Sequence, residues 1–239
     1  MDKFAVFAID VTLIRWQLYH AVVDRLAKLG LLGEGASQEL HSARMVWKNR
    51  EHSDSFSQYE QTLITIYEQS LKNLDAKTFD EVAEQIAKEY KDQVYTYTRD
   101  LCAKLKNDDY KLLAISGSHQ ELVGHIAKNY GFDDWVGTEY KRKGNRFTGE
   151  KFIASHNKKT ILESLMKKHG LSLEESVAVG DSGSDIPMLE MAESPITFNP
   201  DKKLLQKAKA KGWKIVVERK NVVYELEKEN DEYILAKAD

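Results

Sequence analysis

The chain has 239 residues, 42% of them hydrophobic and 31% charged, enough for one large domain or a core domain with a smaller insert. A net charge of −3 with no long basic run excludes nucleic acid as an expected partner. A single cysteine, Cys102, excludes an internal disulfide framework and a cysteine-rich zinc site, and its expected role is helix packing.

The first apolar run, Phe4 to Leu13, reads as a fully buried strand of a parallel sheet. It is interrupted by Asp10 and Thr12, and a carboxylate and a hydroxyl at the carboxyl end of such a strand point to a ligand site. Period-two alternation predicts that position 8 shares their side, and position 8 is alanine. No stretch approaches the length of a membrane span and the N-terminal apolar run is too short for a signal peptide, so no membrane partner and a cytoplasmic location are expected.

A helical region follows. Apolar residues at Leu18, Val22, Val23, Leu26 and Leu29 predict a helix from Ile14 to about Leu31, ended by Gly30 and Gly33. Further amphipathic helices are expected over 37–50, 55–73, 78–93 and 95–107, with no proline before Pro187 to break them. A block of helices directly after one strand reads as an inserted cap. Its aromatics (Trp47, Phe56, Tyr59, Tyr67, Tyr90, Tyr95, Tyr97) are expected in the bundle core.

The α/β pattern resumes with a strand at 111–115 running into Ser116-Gly117-Ser118, where Ser118 and Glu121 form a capping-box pattern for a helix to about Tyr130. A strand at 135–138, a hairpin turn at 143–146 and a helix from about Asn157 to His169 come next. Ser176 to Gly180 is a buried strand that enters Asp181-Ser182-Gly183-Ser184-Asp185. A helix at 186–192, a strand at 195–198, a basic helix at 203–211 and a strand at 213–217 complete the pattern, and the charged stretch from Arg219 onward has no clear assignment. Alternating strand and helix predict an α/β fold, a doubly wound parallel sheet with an inserted α-helical cap. The expected division is 1–13 and 108–239 as core and 14–107 as cap, the cap's end falling somewhere in 95–108.

The strongest chemical signal is Gly180-Asp181-Ser182-Gly183-Ser184-Asp185. Two carboxylates on a glycine-containing turn at a strand end suit a hard cation, with Mg²⁺ the expected ion. Helix capping accounts for Asp185 but not for Asp181. Ser116 and the amides after it sit where a helix begins, which makes either an anion cradle or a plain cap. Lys158 and Lys159 compete for the role of a lysine held near the strand tips.

In this order the segments Ala8-Ile9-Asp10-Val11-Thr12, Ile115-Ser116-Gly117-Ser118, Lys158 and Gly180 to Asp185 resemble the four motifs of the haloacid dehalogenase superfamily of phosphatases. The helical insert resembles the C1-type cap. The Asp185-Ile186-Pro187-Met188-Leu189 run and the hairpin from Gly137 to Gly149 resemble its phosphoserine-phosphatase-like branch, subfamily IB. The resemblance implies a Rossmann-like core and a nucleophilic aspartate at the position of Ala8. It implies Asp10 as general acid/base and Ser116 and Lys158 as phosphoryl-holding groups. Thr12 and Gly117 shape the substrate loop. The implied Mg²⁺ uses Asp181 with Asp185 in support, the carbonyl of Asp10 and the missing carboxylate at position 8; Asp10, Asp181 and Asp185 are the candidate metal residues. Arg15 and His20, with Trp16 and Tyr19, follow the first motif and are candidates to read the leaving group.

Two departures stand out. Alanine at position 8 has no nucleophilic atom, a loss on the order of 10⁶ in turnover. Val11 occupies a place that in the family is often a small residue such as glycine. The implied function is a Mg²⁺-dependent phosphomonoesterase for a small polar phosphorylated metabolite, similar to phosphoserine or histidinol phosphate. Ala8 then either marks an inactivating exchange or makes the chain a natural pseudophosphatase.

Overall fold

The computed structural model describes residues 2–238. β1 (Phe4–Phe7) is the buried strand of the first run, and its side chains alternate between two cores. Ala5, Phe7 and Ile9 face one apolar cluster. Phe4, Val6 and Ala8 face the other. The strand is buried on both faces because it lies inside a sheet, paired in parallel with β2 (Lys111–His119) and β5 (Val177–Gly180).

Among the described residues the sheet has nine strands in the order β4-β3-β2-β1-β5-β6-β7-β8-β9. Here β3 is Asp134–Lys143, β4 Arg146–Phe152, β6 Ser194–Phe198, β7 Lys214–Arg219, β8 Val222–Glu229 and β9 Glu232–Ala238. The central strands are parallel, and antiparallel hairpins finish both edges. The strand order reverses around β1, which puts the tips of β1, β2 and β5 side by side. In open α/β sheets that is where ligands bind.

Four helices, α1 (Leu18–Lys28), α2 (Ala36–Lys48), α3 (Ser55–Leu71) and α4 (Ala76–Tyr90), form the inserted layer. α5 (Thr96–Asn107) returns to the sheet, where Tyr97 stacks on Phe198 and Cys102 is buried. Around the sheet lie α6 (Gln120–Asn129), α7 (Lys158–His169), α8 (Ile186–Leu189) and α9 (Lys202–Lys211). Ile161, Leu162 and Leu165 press α7 onto the face that holds Ala8. No helix of the described residues is long and apolar enough to cross a membrane.

Two local expectations are corrected, and one open stretch is assigned. α1 begins at Leu18, not Ile14, because the chain first turns through Val11, a left-handed residue at φ 57°, and Ile14 bridges to Val94. α6 begins at Gln120, with no side-chain cap from Ser118, since β2 runs on to His119. The charged C-terminal stretch forms β8 and β9, joined at Asn230 and Asp231, both with positive φ as a tight right-twisted hairpin turn requires.

Candidate active site

Position 8 lies where β1 meets β5: the Ala8 amide donates to the Val179 carbonyl at 2.9 Å. The chain then leaves the sheet. Asp10 and Thr12, expected on one side of a continuing strand, diverge because the left-handed turn at Val11 ends the alternation. Asp10 turns toward β2 and Thr12 toward the loop after β5.

The Asp10 carboxylate is fully engaged. Oδ1 accepts from the Leu18 amide at 2.7 Å and from the Ser118 hydroxyl at 2.9 Å, and Oδ2 accepts from the Ser116 hydroxyl. Ser116 Oγ also accepts from the Ser118 amide at 3.1 Å. Asp10 therefore caps α1 as well as joining the β1 and β2 tips. Ser118, read from the sequence as a helix cap, is a partner of Asp10. It sits two residues beyond Ser116, and strand periodicity continued to His119 would have found it.

The Thr12 hydroxyl donates to Asp181 Oδ1 at 2.8 Å, and the Thr12 carbonyl accepts from the Thr98 hydroxyl at 2.8 Å. Asp181 is thus tied to the first loop across the sheet. Asp185 does different work. Its Oδ2 accepts from the Asp181 amide at 3.0 Å, the Ser182 amide at 2.9 Å and the Ser182 hydroxyl at 3.1 Å, while Oδ1 meets the ammonium of Lys158. The carboxyl tucks so close under the loop that a Cβ on residue 180 would stand 2.5 Å from Asp185 Cβ, which is why the strand ends in glycine. Lys158 is buried and Lys159 exposed, so geometry selects Lys158.

Burial, reinforced by the charge of Asp185, pushes the Asp181 carboxyl up to about 8, against the pull of the Thr12 hydroxyl and Lys158. Among the described residues its Oδ2 accepts no hydrogen bond. A carboxylate held this way suits a hard cation. The rest of the expected ligand set falls short: both carboxylate oxygens of Asp185 are spent on protein donors, position 8 brings no oxygen, and Asp10, its carboxylate also engaged, could offer only its main-chain carbonyl. Among the described residues no three His, Cys, Asp or Glu side chains converge as a metal site. The residues present do not make a complete Mg²⁺ site.

Gly117 is at the β2 tip, where its carbonyl accepts from the Thr138 hydroxyl at 2.7 Å and a Cβ would approach Ser155 Cβ to 3.3 Å. Arg15 is exposed, its guanidinium 5.3 Å from the centre of the Tyr95 ring. His20 is enclosed within the cap between Tyr19 and Tyr59, its Nε2 3.7 Å from Glu60 Oε1 and, among the described residues, without a hydrogen bond. Of the four leaving-group candidates, Arg15 and Trp16 have exposed side chains, Tyr19 is half-buried and His20 is buried. Glu60, which the sequence reading passed over, accepts from Gln17 at 3.1 Å and Tyr19 at 3.0 Å. It lies in an ordinary amphipathic helix, where nothing local singles it out.

The chain is similar to known proteins. Residues 5–190 match the haloacid dehalogenase-like hydrolase family. Phosphoserine phosphatase of Methanocaldococcus jannaschii is 30% identical over 146 residues, 59% of this chain and 69% of that protein. Histidinol-phosphatase of Neisseria meningitidis serogroup C is 24% identical over 228 residues, 90% of this chain and 99% of that one. The chain spans between 41% and 52% of the length of the first curated relatives it matches. Among solved structures, a protein of unknown function from Bordetella pertussis Tohama I superposes with a TM-score of 0.72 at 20% identity, covering 90% of this chain and 98% of that one. A phospho-aspartyl intermediate analogue of phosphoserine phosphatase gives 0.62 at 22% identity, covering 92% and 95%. These two likenesses show the fold; the match over residues 5–190 shows that the chain belongs to the haloacid dehalogenase-like hydrolase family, in its phosphoserine-phosphatase-like branch.

Proposed function

We propose that this chain is the nucleophile-deficient form of a phosphomonoester phosphatase and binds a small polar phosphorylated metabolite under its helical cap. One observation carries the reading: Asp10, Ser116, Lys158 and Asp181 come from separate stretches of sequence to the adjoining tips of β1, β2 and β5 and the start of α7. Hydroxyls and a buried ammonium there suit phosphoryl oxygens, and Asp10 is held where an acid/base would serve a leaving alcohol. Relatives named phosphoserine phosphatase and histidinol-phosphatase support a small, polar, nitrogen-bearing substrate. A carboxylate at position 8 would supply the nucleophile and, with Asp181, the second side-chain ligand that Mg²⁺ needs.

The test is phosphate release by Ala8→Asp with Mg²⁺ from phosphoserine, histidinol phosphate and a panel of other phosphomonoesters. Turnover supports the phosphatase; none from any ester, with a correctly folded variant, counts against it. A second reading, a pseudophosphatase that binds without turnover, draws on Val11, whose strained turn is a further departure beside the missing nucleophile. It predicts an inert Ala8→Asp protein and calorimetric binding of a phosphomonoester by the chain as it stands.

A further inference from the structure

His119 follows Ser118 at the tip of β2, and its ring passes out of the core into the cap. It is 2% exposed. Nε2 meets the hydroxyl of Tyr67 on α3, and Nδ1 lies 3.4 Å from Glu121 Oε2 at the start of α6. The ring stacks on Tyr140 of β3, with centroids 4.3 Å apart, and lies 4.3 Å from the Phe79 ring of α4, with Phe147 of β4 at its edge. Arg142 of β3 completes the shell, donating to Glu121 at 2.6 Å and to both oxygens of Asp80 on α4 at 2.8 and 2.9 Å. These are the groups that face the imidazole from every element packed on it.

Burial lowers the His119 pKa and raises that of Tyr67 well above its usual value, so both are neutral. A neutral phenol donates, Nε2 accepts, and the Nδ1 proton faces Glu121. The residue before His119 holds Asp10, through the Ser118 hydroxyl at 2.9 Å. His119 itself pairs with Thr138 of β3, beyond a register shift that follows Ile115. A ring fixed by the cap is therefore one peptide unit from a hydroxyl that orients the acid/base carboxylate.

We propose that His119 is a positioning residue that couples cap closure to Asp10: when α3 is seated, the Tyr67 hydroxyl fixes the imidazole, and the imidazole fixes Ser118 against the carboxylate. Its part in turnover rests on the phosphatase reading; the coupling itself does not.

The first arm uses the Ala8→Asp protein and phosphate release from phosphoserine and histidinol phosphate. His119→Phe keeps an aromatic ring but loses the accepted bond. His119→Gln offers an amide oxygen to Tyr67 and an N–H toward Glu121. His119→Phe lowers kcat by about tenfold to a hundredfold at nearly unchanged KM and shifts the acid limb of the pH profile, and His119→Gln recovers most of the rate. Tyr67→Phe matches His119→Phe, and the double variant is no worse than either alone. Equal losses in His119→Gln and His119→Phe, or additive losses, overturn the proposal.

The second arm needs no turnover. In the Ala8 chain, hydrogen exchange at the Ser118 and His119 amides accelerates in Tyr67→Phe while exchange in α9 is unchanged. Unchanged exchange at 118 and 119 overturns the coupling. An inert Ala8→Asp protein with accelerated exchange counts against the phosphatase reading and leaves the coupling standing.

Discussion

Lys158 and Asp185 form an ion pair closed off from water, their side chains 4% and 1% exposed. The pair joins the first turn of α7 to the loop after β5. Through the amides of residues 181 and 182 it also sets where the Asp181 carboxylate stands. The ammonium is therefore a structural partner before any phosphate arrives.

Removing one partner strands the other. Lys158→Met leaves a sealed carboxylate with no cation, and the expected loss of stability is about 3–5 kcal/mol in urea unfolding. Lys158→Met combined with Asp185→Asn recovers part of it, because the amide keeps the shape and gives up the charge. A loss under about 1 kcal/mol for Lys158→Met would mean that water reaches the pair.

Val11 is β-branched and sits at φ 57°. Non-glycine residues in this region cost roughly 1–2 kcal/mol, and glycine gives back about 0.5–1 kcal/mol in chain entropy. Val11→Gly is expected to stabilise the chain by about 1 kcal/mol in a chemical denaturation curve, with Val11→Ile giving no gain. A destabilised Val11→Gly would show that packing of the half-buried valine outweighs the turn.

What could be read from the sequence depended on whether the signal was local. Gly180, Asp181 and Asp185 lie within one turn, so their joint meaning survives without coordinates. The Asp10 and Ser118 contact does not: the Ser118 and Glu121 pair imitates a helix cap, whereas Glu121 is spent on His119 and Arg142. The divergence of Asp10 and Thr12 was hidden because alternation holds only while a strand continues, and Val11 ends it. The β8–β9 hairpin stayed unassigned because its faces are mostly half-exposed or exposed and so carry no clean apolar alternation. Its one readable sign was the Asn230-Asp231 pair, a turn sequence.

A third contact makes a separable prediction. The Tyr233 hydroxyl donates to the Ala208 carbonyl at 3.0 Å and the Trp213 carbonyl at 2.7 Å, fastening β9 to the end of α9. Tyr233→Phe should cost about 1 kcal/mol and accelerate hydrogen exchange in β8 and β9 while leaving β1 and β5 protected. Exchange that rises equally in β1 would mean that the hairpin unfolds only with the whole domain.

The raised Asp181 carboxyl fixes a pH dependence. Its ordinary value is 3.8 and in the folded chain it is about 8. Between those two values the folded protein holds a proton that the unfolded chain has released, so stability falls as pH rises through the window. Urea unfolding across that range should show this slope in the Ala8 chain and a smaller one in its Asp181→Asn variant, which cannot titrate. A cation at Asp181 would need the carboxylate, so Mg²⁺ binding to a chain with the position-8 carboxylate restored would expel the proton. Added Mg²⁺ should then stabilise the Ala8→Asp protein more than the Ala8 chain, and the proton release it causes should be larger at neutral pH than above the Asp181 pKa. Equal slopes in the Ala8 chain and its Asp181→Asn variant would place the buried proton on another group, and Asp181 would then enter the folded state already charged.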